Sequence, residues 1–546
     1  MLGDAREVPD GSVLDTDVCI VGAGPAGITI ARELTMSSPS VDVTLLESGG
    51  LSFDASAQAL NRGYNEGFPY YPLEITRLRF FGGTTNHWDG LCGPFDTIDF
   101  EPRDWIADSG WPLRRADLEP FYVRAHELAQ IGRFDYEPDG WEVDGKRRLP
   151  FDPERIVTGM LQSSPPTRFG TVYREAIEQS ANVRALLFAN VVEIVAAPDR
   201  AQIESVRVAT LDGPRFTVRA RQFVLAAGTI ENARLLLAST AVQSSGLGNE
   251  HDLVGRYFAE HIVAPGAIFL PSDPSYELGI YNWRSRSLTI RPSDGAVGVA
   301  YLWPTERIQR EERLSDVRAL IEPITEPLAL VASSDALTSL RWLAERELPY
   351  RYDREAWQPE DLDFATNLSR IIGGLDELAI FGYRNFFQST SDFRGHNIVF
   401  SIEQAPNPDS RVTLTDERDA FGLPRVKLDW RLNEQDKHTY TRFARILAAE
   451  FGAAGVGRLK MISDHPLLGW PATSAGARGG WHQMGTTRMS DDPRTGVVDA
   501  DCRVHGISNL YIASSSVYPS VGSVNPTLTI IALSLRLSDH LRAIFG

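Results

Sequence analysis

The sequence predicts an α/β protein of two lobes, one around a parallel sheet and one with a mainly antiparallel sheet and helices. Three observations predict this. A strand, a glycine-rich turn, a helix and a second strand follow one another between residues 18 and 47. Strand-like segments return in quantity only after residue 171 and then alternate with helical ones. The chain has 546 residues, too many for one lobe at about 150 residues per domain.

Val18-Cys19-Ile20-Val21 is a short apolar run, Gly22-Ala23-Gly24-Pro25-Ala26-Gly27 is the turn, and ITIARELT has helical periodicity. Val41-Asp42-Val43-Thr44-Leu45-Leu46 is a second apolar run ending in Glu47. Together they make a βαβ unit. Residues 49–110 are rich in Gly, Tyr and Pro and have poor periodicity, so they read as extended loops covering something. YREAIEQSA reads as helix, VRALLFANVVEIVAA and IESVRVATLDGPRFTVRARQFVLAAG as several strands, and ENARLLLAS as the next helix. Alternating strand material follows over 262–302, and residues 305–385 read as mainly helical and charged. NIVFSIEQAP, SRVTLTD and RVKLDW read as strands, EQDKHTYTRFARILAAEF as a helix, and the C-terminal segment as strand, loop and long helix. There is no internal repeat and no low-complexity tract.

Composition narrows the function classes. With 54 Lys+Arg against 72 Asp+Glu the formal charge is −18, which disfavours non-specific binding to nucleic acid or anionic membranes. The 43% hydrophobic and 23% charged fractions are those of a globular chain rather than a disordered one. Cys19, Cys92 and Cys502 lack CxxC spacing, so neither a disulfide framework nor a structural zinc site is expected. The histidines show no HxH or HExxH spacing, so no catalytic metal is expected. No G-x-S-x-G elbow is present, which removes a serine-hydrolase reading. The N-terminal MLGDAREVPDGSVLDTD is not a signal peptide, and no stretch approaches the roughly 20 apolar residues of a membrane span. The expectation is a soluble cytoplasmic protein with no membrane partner.

The glycine turn carries a mechanism. Gly22 permits the tight turn, Gly24 lets backbone approach a pyrophosphate, and Gly27 lets the helix pack on the strand. The phosphates sit at the helix N-terminus, where free N–H groups and the dipole favour anions. Glu47 follows Gly27 by 20 residues, the place of an acid that hydrogen-bonds ribose hydroxyls. The turn's position near residue 20, with ordered segments returning much later, favours FAD over NAD.

Beyond this unit the chain resembles the glucose–methanol–choline (GMC) flavin oxidoreductases. The likeness rests on the βαβ unit, RLRFFGGTTNHWDG (77–90), LAAGTIENARLLLAS (225–239) and WHQMGTTRMS…NLYIASSSVYPSVGSVNPTLTIIALS. Within the family it is nearest the pyranose oxidase and bacterial glycoside 3-oxidase branch. Two departures stand out: Gly228 is followed by Thr229-Ile230-Glu231 where the family usually has Ser/Thr-Pro, and Ser514 or Ser515 stands where an Asp is frequent.

The resemblance implies a Rossmann-like FAD-binding lobe assembled from 14–105, 183–262 and 495–546. It implies a substrate lobe from 106–182 and 263–494, with 305–385 as a helical insertion. It places FAD against Gly22, Gly24, Pro25, Ala26, Gly27 and Glu47, under the loop Gly82, Gly83, Thr84, Asn86, His87 and Trp88. Val191, Ala227, Gly228, Ser514, Ser515, Pro526 and Thr527 complete the cofactor contacts. His87 falls where some pyranose oxidases bond a His covalently to the flavin methyl carbon; the other reading is a buried, hydrogen-bonded His. His482 becomes the general base that takes a hydroxyl proton while flavin accepts hydride; without the resemblance it reads as a structural His beside a Gly-rich turn. Asn525 pairs with it, although Asn-Pro before a helix also reads as an N-cap. The helix N-terminus at Pro526–Thr527 would face the flavin N1/C2 carbonyl and stabilise the reduced form.

The function so implied is FAD-dependent oxidation of a secondary hydroxyl of a sugar or glycoside, preferably at C3, with oxygen reduced to peroxide. The alternatives are a sugar or polyol dehydrogenase subunit passing electrons to a quinone or haem partner, and a non-catalytic flavin-binding partner protein. Phe68-Pro69-Tyr70-Tyr71 reads as core or as a platform for a sugar ring.

Overall fold

Two sheets of different character are set by two kinds of strand. The computed structural model describes residues 1–37, 40–143, 146–211, 213–273, 278–281, 289–323, 336, 339, 364–375, 378, 395–461 and 478–546. The first sheet has continuous apolar strands, as a sheet covered on both faces requires: Val18, Cys19, Ile20 and Leu45 are fully buried. Leu2–Asp4, Val183–Leu187, Val43–Leu46, Val13–Val21 and Arg215–Leu225 run parallel in that order. Leu510–Ile512 adds parallel to the end of Arg215–Leu225, and Ile203–Ala209 pairs antiparallel with its start, followed by Asn190–Ala196.

The register brings Leu46, Val21, Leu225 and Ile512 side by side. Four parallel strands therefore end together, and the turns after them open into one crevice, where ligands bind in open α/β sheets. Helices Pro25–Ser37 and Thr527–Phe545 pack together against this lobe, and Arg115–Ala129 packs on the latter.

The second sheet is antiparallel, in the order Gly457–Met461, His261–Pro271, His396–Glu403, Val317–Pro323, Val297–Pro304, Ile156–Ser163, Leu91–Cys92. Helix Glu434–Ala453 backs it, started by an Asn433–Asp436 capping box. Phe443 and Tyr440 on that helix meet Phe400 at ring-centroid distances of 5.2 and 5.7 Å. A third sheet pairs Arg411–Arg418, Pro424–Trp430 and Gly63–Gly67.

One stretch departs from the reading of the sequence. Within 305–385, expected to be mainly helical, Glu306–Glu311 and Phe364–Gly373 are helices but Val317–Pro323 is a central strand. Its charges hid a period of two: Val317, Ala319 and Ile321 are fully buried on one face. Most of the rest of 305–385 lies outside the described residues. Among the described residues no helix is long and apolar enough to cross a membrane.

Candidate active site

The glycine turn lies at the crevice floor. Gly22 has φ +106, and its N–H donates to Leu46 O at 2.8 Å. A Cβ on Gly27 would stand 1.9 Å from Gly22 O, so the helix seats on the strand only without a side chain there. Gly24 meets nothing within 4 Å and lines the cavity; its missing side chain keeps the N-terminus of Pro25–Ser37 open. Gly83 roofs the turn, since a Cβ on it would stand 3.0 Å from Gly24 Cα. The N-terminus of Thr527–Phe545 opens into the same cavity through Pro526 and Thr527. Two helix N-termini converge on one cavity, which suits a dianionic pyrophosphate and a second developing negative charge. The donor set fits FAD.

Glu47 sits at the cavity wall, buried. Its Oε2 accepts from Ala23 N at 2.9 Å, and Oε1 accepts from Gly49 N at 2.9 Å and from Ser48 Oγ at 3.2 Å. Burial raises its pKa, opposed by those N–H donors and by Arg79. Glu47 therefore holds the turn as well as lining the cavity; a carboxylate with about four lone-pair sites keeps room for a further donor. Glu47→Ala is expected to lower both FAD affinity and the melting temperature of the FAD-free protein, because two backbone N–H groups lose their acceptor at about 1–3 kcal/mol each. Thermal unfolding of the apoprotein beside an FAD titration checks this; weaker binding with an unchanged apoprotein melt would leave Glu47 as a ligand contact alone.

Pro25, Ala26, Thr84, His87, Trp88, Val191, Ala227, Gly228, Ser514 and Ser515 also line the cavity. Gly27, Gly82 and Asn86 do not. Gly27 is packed against Gly22, Gly82 N donates to Ala23 O at 2.8 Å, and Asn86 Nδ2 turns back to Phe81 O at 3.0 Å; all three shape the loop rather than its wall. The Ser514 hydroxyl accepts from Asn232 Nδ2 at 3.0 Å, and Ser515 Oγ donates to Gln483 O at 2.7 Å. Both side chains thus tie the strand end to neighbouring segments.

His482 and Asn525 meet within this cavity. Asn525 Nδ2 lies 3.2 Å from His482 Nε2, and Arg318 Nη2 donates to Asn525 Oδ1 at 2.8 Å. His482 Nδ1 lies 2.9 Å from His261 Nδ1, and His261 Nε2 lies 3.1 Å from Val521 O. The helix cap falls on Pro526, and the Asn525 amide bonds run instead to Arg318 and His482. Burial, with Arg318 adding to it, lowers the His261 pKa to about 4.

Several wall residues escaped the reading of the sequence. Arg77, Arg79 and Glu231 line the cavity, with Arg77 Nη1–Glu231 Oε2 at 3.1 Å and Arg79 Nη2–Glu231 Oε1 at 2.7 Å. Burial pushes the Glu231 carboxyl up, but Arg79, Arg234 and Arg77 outweigh it and hold the group well below its ordinary range. Two arginines in the apolar run RLRFF were the available signal. Trp481 takes φ +61 beside His482, with its ring centroid 5.3 Å from His87 and 5.6 Å from Tyr71. Glu260 Oε2 accepts from His482 N at 2.8 Å and Gly480 N at 3.1 Å, and Tyr70 OH donates to its Oε1. Burial first, then Glu260, raises the Tyr70 pKa, so the phenol stays a donor. Glu260-His261 at the head of an apolar strand was the signal there. Among the described residues no group of three His, Cys, Asp or Glu side chains could hold a metal ion.

The family described as FAD dependent oxidoreductase matches residues 17–318, and the family described as GMC oxidoreductase matches residues 406–534. Paromamine 6'-oxidase of Streptomyces fradiae is 25% identical over 95% of this chain and 90% of its own. The fructose dehydrogenase large subunit of Gluconobacter japonicus is 25% identical over 96% and 97%. A C-glycoside 3-oxidase of Arthrobacter globiformis is 29% identical over 22% of this chain and 21% of its own. The crystal structure of pyridoxine 4-oxidase from Mesorbium loti superposes with a TM-score of 0.53, 16% identity, and 97% and 99% coverage.

Proposed function

Since this chain belongs to the FAD-dependent oxidoreductases, of the GMC type by its C-terminal segment, we propose that it oxidises a secondary hydroxyl of a sugar or glycoside to the keto-sugar, with C3 preferred. The observation that carries this is the His482–Asn525 pair in the cavity that the two helix N-termini share. Gly22, Gly24, Gly83, Glu47 and the N-termini at Pro25 and Thr527 are the residues for holding FAD. When bound there, FAD would supply the two-electron acceptor for the carbon-bound hydride, with oxygen or a quinone as the final acceptor. His482 Nε2 takes the hydroxyl proton, so that the alcohol loses one proton to the protein and one hydride. Asn525 Nδ2 donates to the hydroxyl oxygen and holds it beside the base. Trp481 offers an apolar face for a sugar ring, and Asn61, Thr76 and Gln483 offer polar groups on the wall.

Three of the relatives support a sugar-like substrate: paromamine 6'-oxidase, the fructose dehydrogenase large subunit and C-glycoside 3-oxidase. The last of these supports C3. The fructose dehydrogenase likeness, over nearly the whole chain, supports a second reading in which the acceptor is a quinone or a haem partner.

Anaerobic mixing of FAD-loaded protein with a panel of sugars and glycosides is expected to bleach the flavin band for a glycoside, with a 3-keto product by NMR. Admitting air is expected to restore the band and release peroxide, read with a peroxidase couple. Rapid quinone reduction without peroxide would favour the dehydrogenase reading. No bleaching by any sugar would leave a flavin-binding partner protein. Acid precipitation separates the readings of His87: colour in the pellet marks a histidyl bond, and colour in the supernatant a packing residue.

A further inference from the structure

His482 stands at the centre of a line of four side chains drawn from four separate segments. Each bond in the line has only one consistent direction. Arg318 carries donors only, so Asn525 must present Oδ1 to it and Nδ2 to His482. Val521 O only accepts, so the proton of His261 sits on Nε2 and its Nδ1 carries a lone pair. His482 then donates from Nδ1 to His261 Nδ1 and keeps its lone pair on Nε2, facing Asn525 and the cavity.

We propose that His261 and Arg318 are positioning residues: His261 fixes His482 as the Nδ1–H tautomer, and Arg318 fixes Asn525 with its N–H groups toward the substrate. The proposal rests on the reading of His482 as base. Imidazole serves as a base only at the nitrogen without a proton, and the partner of the other nitrogen decides which that is. With the amide reversed, Oδ1 would accept the substrate O–H and compete with His482 for it. A sugar hydroxyl entering between the two side chains would donate to Nε2 and accept from Nδ2, replacing their 3.2 Å contact.

The burial of both groups fits fixed roles. His261 is fully buried, and its opposite in the strand register is Glu403. Arg318 is buried with its guanidinium over the Tyr301 ring, 4.8 Å from the centroid. Among the described residues, its Nε and Nη1 make no hydrogen bond. A buried cation so sparsely satisfied is costly, which is expected of a group kept for function rather than for stability. The charged and titratable groups around the line are Glu260 and Tyr70 at the His482 backbone, Glu403 beside His261, and Asp316 near Arg318.

The test uses FAD-loaded protein and the sugar that bleaches wild type fastest. His261→Leu removes the acceptor, whereas His261→Gln can restore one through Oε1. His261→Leu is expected to lower the limiting rate of anaerobic flavin reduction at least about tenfold, less than the about 10²–10⁴-fold cost of losing the general base itself. The half-saturating sugar concentration should not change, and the acid limb of the pH profile should move to lower pH. His261→Gln should recover most of the rate and the profile. Arg318→Met should lower the rate and raise the half-saturating concentration, with Arg318→Lys between it and wild type. Because a leucine in this buried place threatens folding, the wild-type holoenzyme is also tested directly with ¹⁵N-labelled histidine, the His482 signals being assigned by their loss in His482→Ala. A protonated Nδ1 and bare Nε2 on His482 support the proposal. An Nε2–H tautomer overturns it, as does a glutamine variant no faster than the leucine variant when both are folded and loaded. If His482→Ala is reduced at the wild-type rate, the base reading fails on its own account, while the tautomer measurement still judges the line of hydrogen bonds.

Discussion

Replacing His482 with alanine is expected to slow the bleaching of flavin by sugar at least about 10²-fold, the lower bound for losing a general base, while bound FAD stays at the wild-type level. The separation follows from where the residue is anchored. Its backbone N–H donates to Glu260 Oε2 at 2.8 Å, a bond that alanine retains, so the segment 480–483 keeps its course. The residues proposed to hold the cofactor are others, on the glycine turn and the Gly83–Thr84 loop. What disappears is the one imidazole nitrogen turned toward Asn525. Stopped-flow reduction of flavin-loaded protein reads the chemical step apart from stability. A variant reduced as fast as wild type would place the base elsewhere.

Gly24→Val is expected to yield a folded protein that purifies without flavin. Gly24 is not among the positive-φ glycines, and a Cβ on it meets nothing within 4 Å, so the apoprotein has space for the side chain. That space is the mouth of the Pro25–Ser37 N-terminus. A branched side chain there covers the N–H groups that a pyrophosphate needs. The loss in affinity therefore comes without a loss in folding, in contrast to Gly27, where a Cβ would strike Gly22 O at 1.9 Å. Flavin absorbance per protein, beside the melting temperature of FAD-free wild type, checks both halves. Wild-type flavin content in Gly24→Val would sink the assignment of this turn.

The βαβ unit was legible because each of its parts is a local pattern: apolar runs for strands, fixed glycine spacing for the turn, and an acid at the end of the second strand. The pair His482 and Asn525 was not legible in that way. The two lie in separate turns, and only the likeness to a family singled them out. Arg318 was missed because SDVRALIEP alternates charge with apolar residues in a stretch read as helix. The buried charges there find partners far along the chain: Asp316 Oδ2 accepts from Ser523 N at 2.7 Å, and Arg318 reaches Asn525. His261 was missed because a histidine opening an apolar strand carries no spacing signal; its partner lies 221 residues away. The local cap pattern at Asn525 left its amide free to be used elsewhere, and that amide bonds Arg318 and His482, neither of which is near it in sequence.

The placing of Leu510–Ile512 has a consequence for how the protein is made. This segment pairs with Phe223–Leu225, whose own strand finds its other partner at Val13–Val21. Phe223 N donates to Asn509 O at 2.9 Å, and Ala513 N to Leu225 O at 2.8 Å. A ribosome adding about 5–20 residues per second needs on the order of tens of seconds to travel from one side of that ladder to the other. Throughout that interval the nascent chain carries an apolar strand end with open hydrogen-bonding groups, the kind of edge that recruits other chains. The second helix N-terminus of the cradle, at Thr527, emerges later still. The cavity therefore has both of its helix N-termini only late in synthesis, after that edge has waited for its partner strand.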